Sequence, residues 1–474
     1  MLQRSLARAA RAQRTLQAAP RRSLWRCSTL ISPSPASLLA HVEAQDKAST
    51  PGQVLYALSK NTPQELVPHF VAALQTSSSS SSSSPSIGCL AEVLPPSTVA
   101  RLAPRHDTVA ELYSLSIARH HPSHDTERAI PFRSTLTGRP NIALGREIRP
   151  ELQHDAQDDA GFEAFLRGDK WAFGERANGA RDAAGEGIEE LSGVEPSQVK
   201  EVVALTADRM QPFLAALSSY SSAAKTGLVG TSTPFHSPNG APFSLFYGTE
   251  VVSSGAIGVA VVGSTSAPAV KLDYGGLQAV GKPHEVTSSQ GNIVLSLSNQ
   301  NAARLLLDAV NELFGTSADN LSAVQRSEEK EKEFYAAMFD SQPVHPLDLS
   351  QARLVAKIMA GSPSRGALSV ETEQEVVTGS YLVFVTAPTS PSSSSSSPAT
   401  LSPPPSSLTF LSTSPSDTAP RFAASDAPTA SPGDVVELDA FLAASENGVL
   451  FAPGQTGQVR VCAIEGASVR ALEQ

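Results

Sequence analysis

The residues best placed to do chemistry lie at the ends of two apolar runs. Gly230, Thr231, Ser232, Thr233 and Pro234, followed by Phe235, make a small hydroxyl-rich turn after the run TGLV. Such a turn can offer hydroxyls and backbone N–H groups to a ligand carboxylate or carbonyl, or it can simply cap a strand end. The pattern G-x-S-x-G is absent, so it is not a nucleophile elbow. Cys89 sits at the end of a matching run, SIGCLAEV. A nucleophilic thiol needs a neighbouring base, and no histidine can be placed beside it from sequence; a core thiol and a groove-lining position both fit. Arg365, in the turn GSPSRGAL, has the chemistry to hold an anion or to brace its turn. The run His120, His121, Pro122, Ser123, His124, Asp125 resembles a metal cluster, but Pro122 prevents a shared helical face and surface histidines are the reading taken. Gly276 to Pro283 satisfies G-x-x-x-x-G-K, yet Pro283 stands where a magnesium-binding hydroxyl belongs and a strand-like segment follows. No catalytic or metal-binding residue is assigned, and no cofactor is identified.

The elements that must position these residues form a repeat. QVLYALSK (53–60), a helical segment ending PHFVAALQ, SIGCLAEV (86–93) and LYSLSIA (112–118) are echoed by EVVALTAD (201–208), a helical segment ending QPFLAALSSY, TGLVGTSTPF (226–235) and GAIGVAVVG (255–263). Each copy reads strand, helix, strand, strand, so the sequence predicts an α/β protein with mixed sheets and duplicated β-α-β-β units. A groove between the halves is the expected ligand seat, near Cys89 and Gly230 to Phe235. Thr62, Pro63, Gln64 and Glu65 predict a capping box opening the first helix. Residues 284–297 predict a hairpin turning at Gly291 and Asn292, and Asn301 to Phe314 an amphipathic helix. Beyond it, several strand-like runs and an acidic helix at 434–446 suggest a sheet-rich C-terminal domain.

Composition sets the boundaries. Of 474 residues, 41% are hydrophobic, enough for large cores, and no apolar run is long enough to span a membrane. Arg4, Arg8, Arg11, Arg14, Arg21, Arg22 and Arg26 precede the first acidic residue, Glu43. An Arg-rich, Ser-containing, acid-free start predicts a mitochondrial presequence over residues 1–28 and a matrix location. Removing those seven charges takes the net charge from −10 to −17, a poor match for nucleic acid. Segments near 77–85, 150–195 and 387–433, rich in Ser, Pro or Asp/Glu/Gly/Ala, are expected to be disordered insertions.

Several of these stretches together resemble the FIST domain: GRPNIALGR (138–146), GLVGTSTPFHSPNGAPFSLFYG (227–248), SSGAIGVAV (253–261) and VTSSQGNIVLSLSNQNAARLLLDAV (286–310). MAGSPSRGALSVE (359–371) and VCAIEGASV (461–469) resemble its C-terminal part. The resemblance implies a FIST N-terminal-like domain over 29–300 and a C-terminal-like one over 301–474. It further implies a stand-alone sensory, ligand-binding member without an F-box, binding small molecules such as amino acids. The alternatives it leaves are a protein-interaction adaptor related to F-box substrate-recruiting proteins, a haem-binding sensor, or an enzyme using Cys89 or a hydroxyl of residues 231–233.

Overall fold

The computed structural model describes residues 25–472 apart from 47–51, 77–83, 103–110, 123–125, 137–187, 209, 237–240, 264–265, 315–332, 345, 362–365, 373–374, 388–402, 416–434 and 453–457. The predicted repeat is present and is one strand larger than its sequence suggests. The first copy comprises β1 (Trp25–Ser32), α1 (Pro35–Asp46), β2 (Gln53–Ser59), α2 (Val67–Thr76), β3 (Ile87–Ala91), α3 (Pro96–Leu102) and β4 (Tyr113–His120). The second comprises β5 (Arg128–Ser134), β6 (Val199–Thr206), α4 (Gln211–Ser218), β7 (Ala224–Val229) and, after the small hairpin β8 (Leu245–Tyr247) and β9 (Glu250–Val252), β10 (Ala256–Val262). The strand orders β1-β4-β2-β3 and β5-β10-β6-β7 are the same, with a parallel central pair (β2/β3, β6/β7) and antiparallel flanks.

The two sheets stack face to face. Leu55, Ala57 and Cys89 of the first share one core with Val203, Leu205, Leu228 and Val259 of the second. The alternate residues point outward under helices: Val54, Tyr56 and Leu58 meet Leu38, Phe70 and Leu74, while Val202 and Ala204 meet Phe213 and Leu217. Burial on both faces is why the strands read as unbroken apolar runs.

The remainder is sheet-rich. It contains β11 (Ala269–Asp273), β12 (Gln278–Gln290), β13 (Ile293–Leu297), β14 (Gln300–Asn301), α5 (Ala302–Phe314), β15 (Phe334–Phe339), β16 (Leu354–Gly361), β17 (Leu368–Val370), β18 (Tyr381–Thr386), β19 (Leu408–Ser412), β20 (Val436–Leu438), β21 (Phe441–Ser445), β22 (Val449–Ala452), β23 (Arg460–Cys462) and β24 (Ser468–Leu472). The predicted hairpin joins β12 to β13, with Gly291 at φ +56. The predicted amphipathic helix is α5; its Ala302, Ala303 and Ala309 cover the sheet β12-β18-β15-β16-β17-β13-β14.

Five expectations are corrected. Residues 25–28 are not outside the fold, because β1 pairs with β4 along its whole length and Trp25 and Cys27 are buried. The segment 387–433 contains β19, all five of whose residues are buried, and the close of 150–195 packs Ile188, Leu191 and Val194 under the second sheet. The acidic helix at 434–446 is instead strands β20 and β21, since neighbouring strands supply the backbone partners that an isolated helix would supply itself. Thr62 caps nothing: its buried hydroxyl makes no hydrogen bond, and α2 begins at Val67. A boundary at residue 300 also fails to separate the sheets, because β20 extends the first repeat's sheet, β22 and β23 extend the second's, and β11 pairs with β24.

Candidate functional site

Cys89 is fully buried in β3, opposite Ala57 and Leu245. Burial pushes its thiol up to about 12, so it stays protonated and inert at neutral pH. The ladders also correct the predicted equivalence of the two strand ends. Ala57 faces Cys89 and Ala204 faces Gly227, so Cys89 matches Gly227, and the residue matching Gly230 is Glu92.

That position holds the charged centre the sequence reading missed. Lys60, just beyond β2, sends its Nζ to Glu92 Oε2 at 2.6 Å, with both side chains buried. Glu92 also accepts from Val93 N at 2.9 Å through Oε1, and its own N–H donates to Ala444 O at 2.8 Å. His236 Nε2 lies 2.7 Å from Lys60 O, which as a carbonyl can only accept, so the proton sits on Nε2. Burial lowers the imidazole's pKa, partly opposed by that hydrogen bond.

The 230–236 turn therefore bridges the two repeats. Gly230 O accepts from Asn447 Nδ2 at 2.7 Å and Ser232 N donates to Glu446 Oε1 at 2.7 Å. Thr233 N donates to Pro242 O, and its buried hydroxyl lies 3.0 Å from Ser244 Oγ. Thr231 is buried and Ser232 exposed. Phe235 contributes backbone to the 3-10 turn Pro234–His236; its side chain, like Arg365, lies outside the described residues. Of the predicted ligand set, the fold brings Gly230 to Thr233 together as a structural brace and leaves Cys89 in the core. The expected seat between the halves is filled by apolar side chains.

A cleft opens instead beside the second repeat, with a volume of about 680 Å3. One wall is α4, through Gln211, Leu214 and Ser218; the other is the β15–β16 face, through Tyr335, Val355 and Lys357; the β21–β22 turn, Glu446 and Asn447, lies at its edge. Tyr335 OH donates to Glu333 Oε2 at 2.6 Å, and Lys357 pairs with the same carboxylate. Those two hydrogen bonds hold the Glu333 carboxyl below its ordinary range. Burial, reinforced by Glu333, raises the Tyr335 hydroxyl, which therefore stays protonated. Glu371, Glu446 and Glu465 add three more carboxylates, whereas Arg460 directs Nη1 to Ala352 O at 3.4 Å. The lining includes no His, Cys or Met, and its tyrosine is engaged by Glu333, so these residues do not suit a haem iron. Among the described residues no three His, Cys, Asp or Glu side chains are arranged to hold a metal.

His120 is buried edge-on against the Trp25 ring, with centroids 5.2 Å apart, and burial lowers its pKa to about 4. His124 and Asp125 lie outside the described residues. The Gly276–Pro283 segment runs into β12 and not into a helix, as its sequence predicts.

No helix among the described residues is long and apolar enough to cross a membrane. No curated protein matches the chain. Residues 153–300 match the family model of the FIST N domain, a stretch that includes β6, α4, the 230–236 turn and β10. The chain thus contains a FIST N domain at residues 153–300.

Proposed function

We propose that this chain is a non-enzymatic sensory protein whose small-molecule ligand occupies the cleft between α4 and the β15–β16 face. FIST domains are sensory modules, and α4 belongs to the matched segment. The observation that carries the reading is the cleft itself, whose volume of about 680 Å3 lies within the usual range for metabolite sites. Its charge narrows the ligand. Glu333, Glu371, Glu446 and Glu465 line it against Lys357, which is paired with Glu333, and Arg460, which faces a carbonyl. Such a lining favours a ligand bearing an ammonium or another cation. The resemblance of residues 359–371 and 461–469 to the C-terminal part of the family extends the FIST reading over 301–474. The Arg-rich stretch before Trp25 supports delivery to the mitochondrial matrix.

Thermal melts of the full chain with small amines such as 1,4-diaminobutane, and with succinate as an acidic counterpart of similar length, test the cleft. An amine should raise Tm by mass action, and Glu446→Gln should reduce the rise. An equal rise with succinate, or no rise with any of a broad set of amines, would sink this reading.

A further inference from the structure

The fold sets a limit on maturation at its first strand. Six of the seven N-terminal arginines, Arg4 to Arg22, precede Trp25, where β1 begins. Trp25 is 3% exposed, and its indole N–H donates to Glu201 Oε2 at 2.8 Å. That bond runs from the first strand of one repeat to the central strand of the other, and Glu201 is itself buried. The backbone of Trp25–Ser32 pairs residue for residue with His120–Tyr113, and the other edge of β1 carries β20. Loss of Trp25–Ser28 would strip the ladder from His120–Ile117, expose the inner face at Cys27, and remove the indole donor from a carboxylate that has left water. The second repeat keeps the corresponding strand, β5, fully paired with β10.

We infer that the segment before Trp25 is a removable leader, and that the bond cut in its removal lies at or before Leu24–Trp25. The step is hydrolysis by a processing peptidase of the receiving compartment: water is consumed, one amide is split, and a new α-amino group is left no later than Trp25. The inference rests on the mitochondrial reading for its peptidase and on β1 for its limit, and the experiment separates the two.

The full chain with a C-terminal tag is presented to energised isolated mitochondria, and the N-terminus of the protease-protected product is read by mass spectrometry. The expected product begins between residues 5 and 25, with leader arginines lost. A product beginning at Arg26 or later overturns the limit; a product that begins at residue 4 or earlier, or no protected product, overturns the leader. In parallel, chains beginning at Trp25 and at Thr29, each after an initiator Met, are melted beside the full chain. The Trp25 chain should melt within about 2 °C of it, and the Thr29 chain about 10 °C lower or without a cooperative transition. A Thr29 chain as stable as the full one overturns the limit whatever import shows. Trp25→Phe, which keeps the strand and loses the N–H donor, should lower Tm by less than the Thr29 truncation.

Discussion

The two repeats share a strand order and differ at matching positions, and the differences separate what the topology needs from what each half does. Where the first has Lys60 and Glu92 as a buried ion pair, the second has Ala207 and Gly230, and Asn447 from the far end of the chain donates to the Gly230 carbonyl. Where the first pairs Trp25 with His120, the second pairs Arg128 with Val262. Where the first places Thr29 against Ser116, both bonded to the backbone at Ala440 and Leu442, the second lays the Phe132 ring over Gly258. The first half spends its special residues on anchoring β21, and its helix α2 is covered by α1. In the second half, α4 is left to wall the cleft. One copy of the duplication anchors β21, and the other walls the cleft proposed for the ligand.

The largest effect should come from breaking the charged end of the first repeat. Glu92→Ala leaves Lys60 buried without its carboxylate and should cost about 3–5 kcal/mol in urea unfolding. Adding Lys60→Ala, the residue that the second repeat has there, should recover part of that loss. If the double variant is as unstable as the single one, the ion pair is not what distinguishes the two ends.

Acid provides the next contrast. His120 is held neutral, with its pKa lowered from 6.5 to about 4, so its contribution is complete above pH 6.5 and is lost as pH falls towards 4. That loss is about 3 kcal/mol by the linkage relation. His120→Val, the second repeat's residue, should flatten the acid limb of the stability–pH curve while leaving the smaller contributions of the other depressed histidines, His121, His236 and His284. An unchanged acid limb would remove His120 from this account.

The smallest effect should come from overfilling the second repeat. A Cβ at Gly258 would meet Val203 O and lie 2.5 Å from the Phe132 ring, so Gly258→Ala should destabilise by about 1–3 kcal/mol. Because part of the clash is with the Phe132 ring, Phe132→Leu in the same chain should relieve that part and leave the part owed to Val203 O. A neutral Gly258→Ala would show that this pairing tolerates what the close approach forbids.

What could be read in advance was local. The strand–helix–strand units, the hairpin at Gly291 and Asn292 and the helix over Ala302–Phe314 each depend on a short window of alternating or 3.6-residue periodicity. Of the site, the turn at Gly230 to Thr233 was legible as a special strand end. Its role was not, because its partners Glu446 and Asn447 lie more than two hundred residues away. Glu92, an acid closing the apolar run GCLA, was the one available sign of the buried pair.

The sequence by itself determined the duplication, the mixed α/β class and the resemblance to the FIST domain, since all three are carried by the order of residues along the chain. Tertiary structure decided that Trp25–Ser28 belongs to the core, that the Ser/Pro-rich stretch hides β19, and that the open cleft lies beside α4 while the space between the halves is filled. The physical reason is common to all three. A strand's partners and a cleft's opposite wall come from distant segments, and local composition carries no record of which backbone groups or apolar faces will find one another.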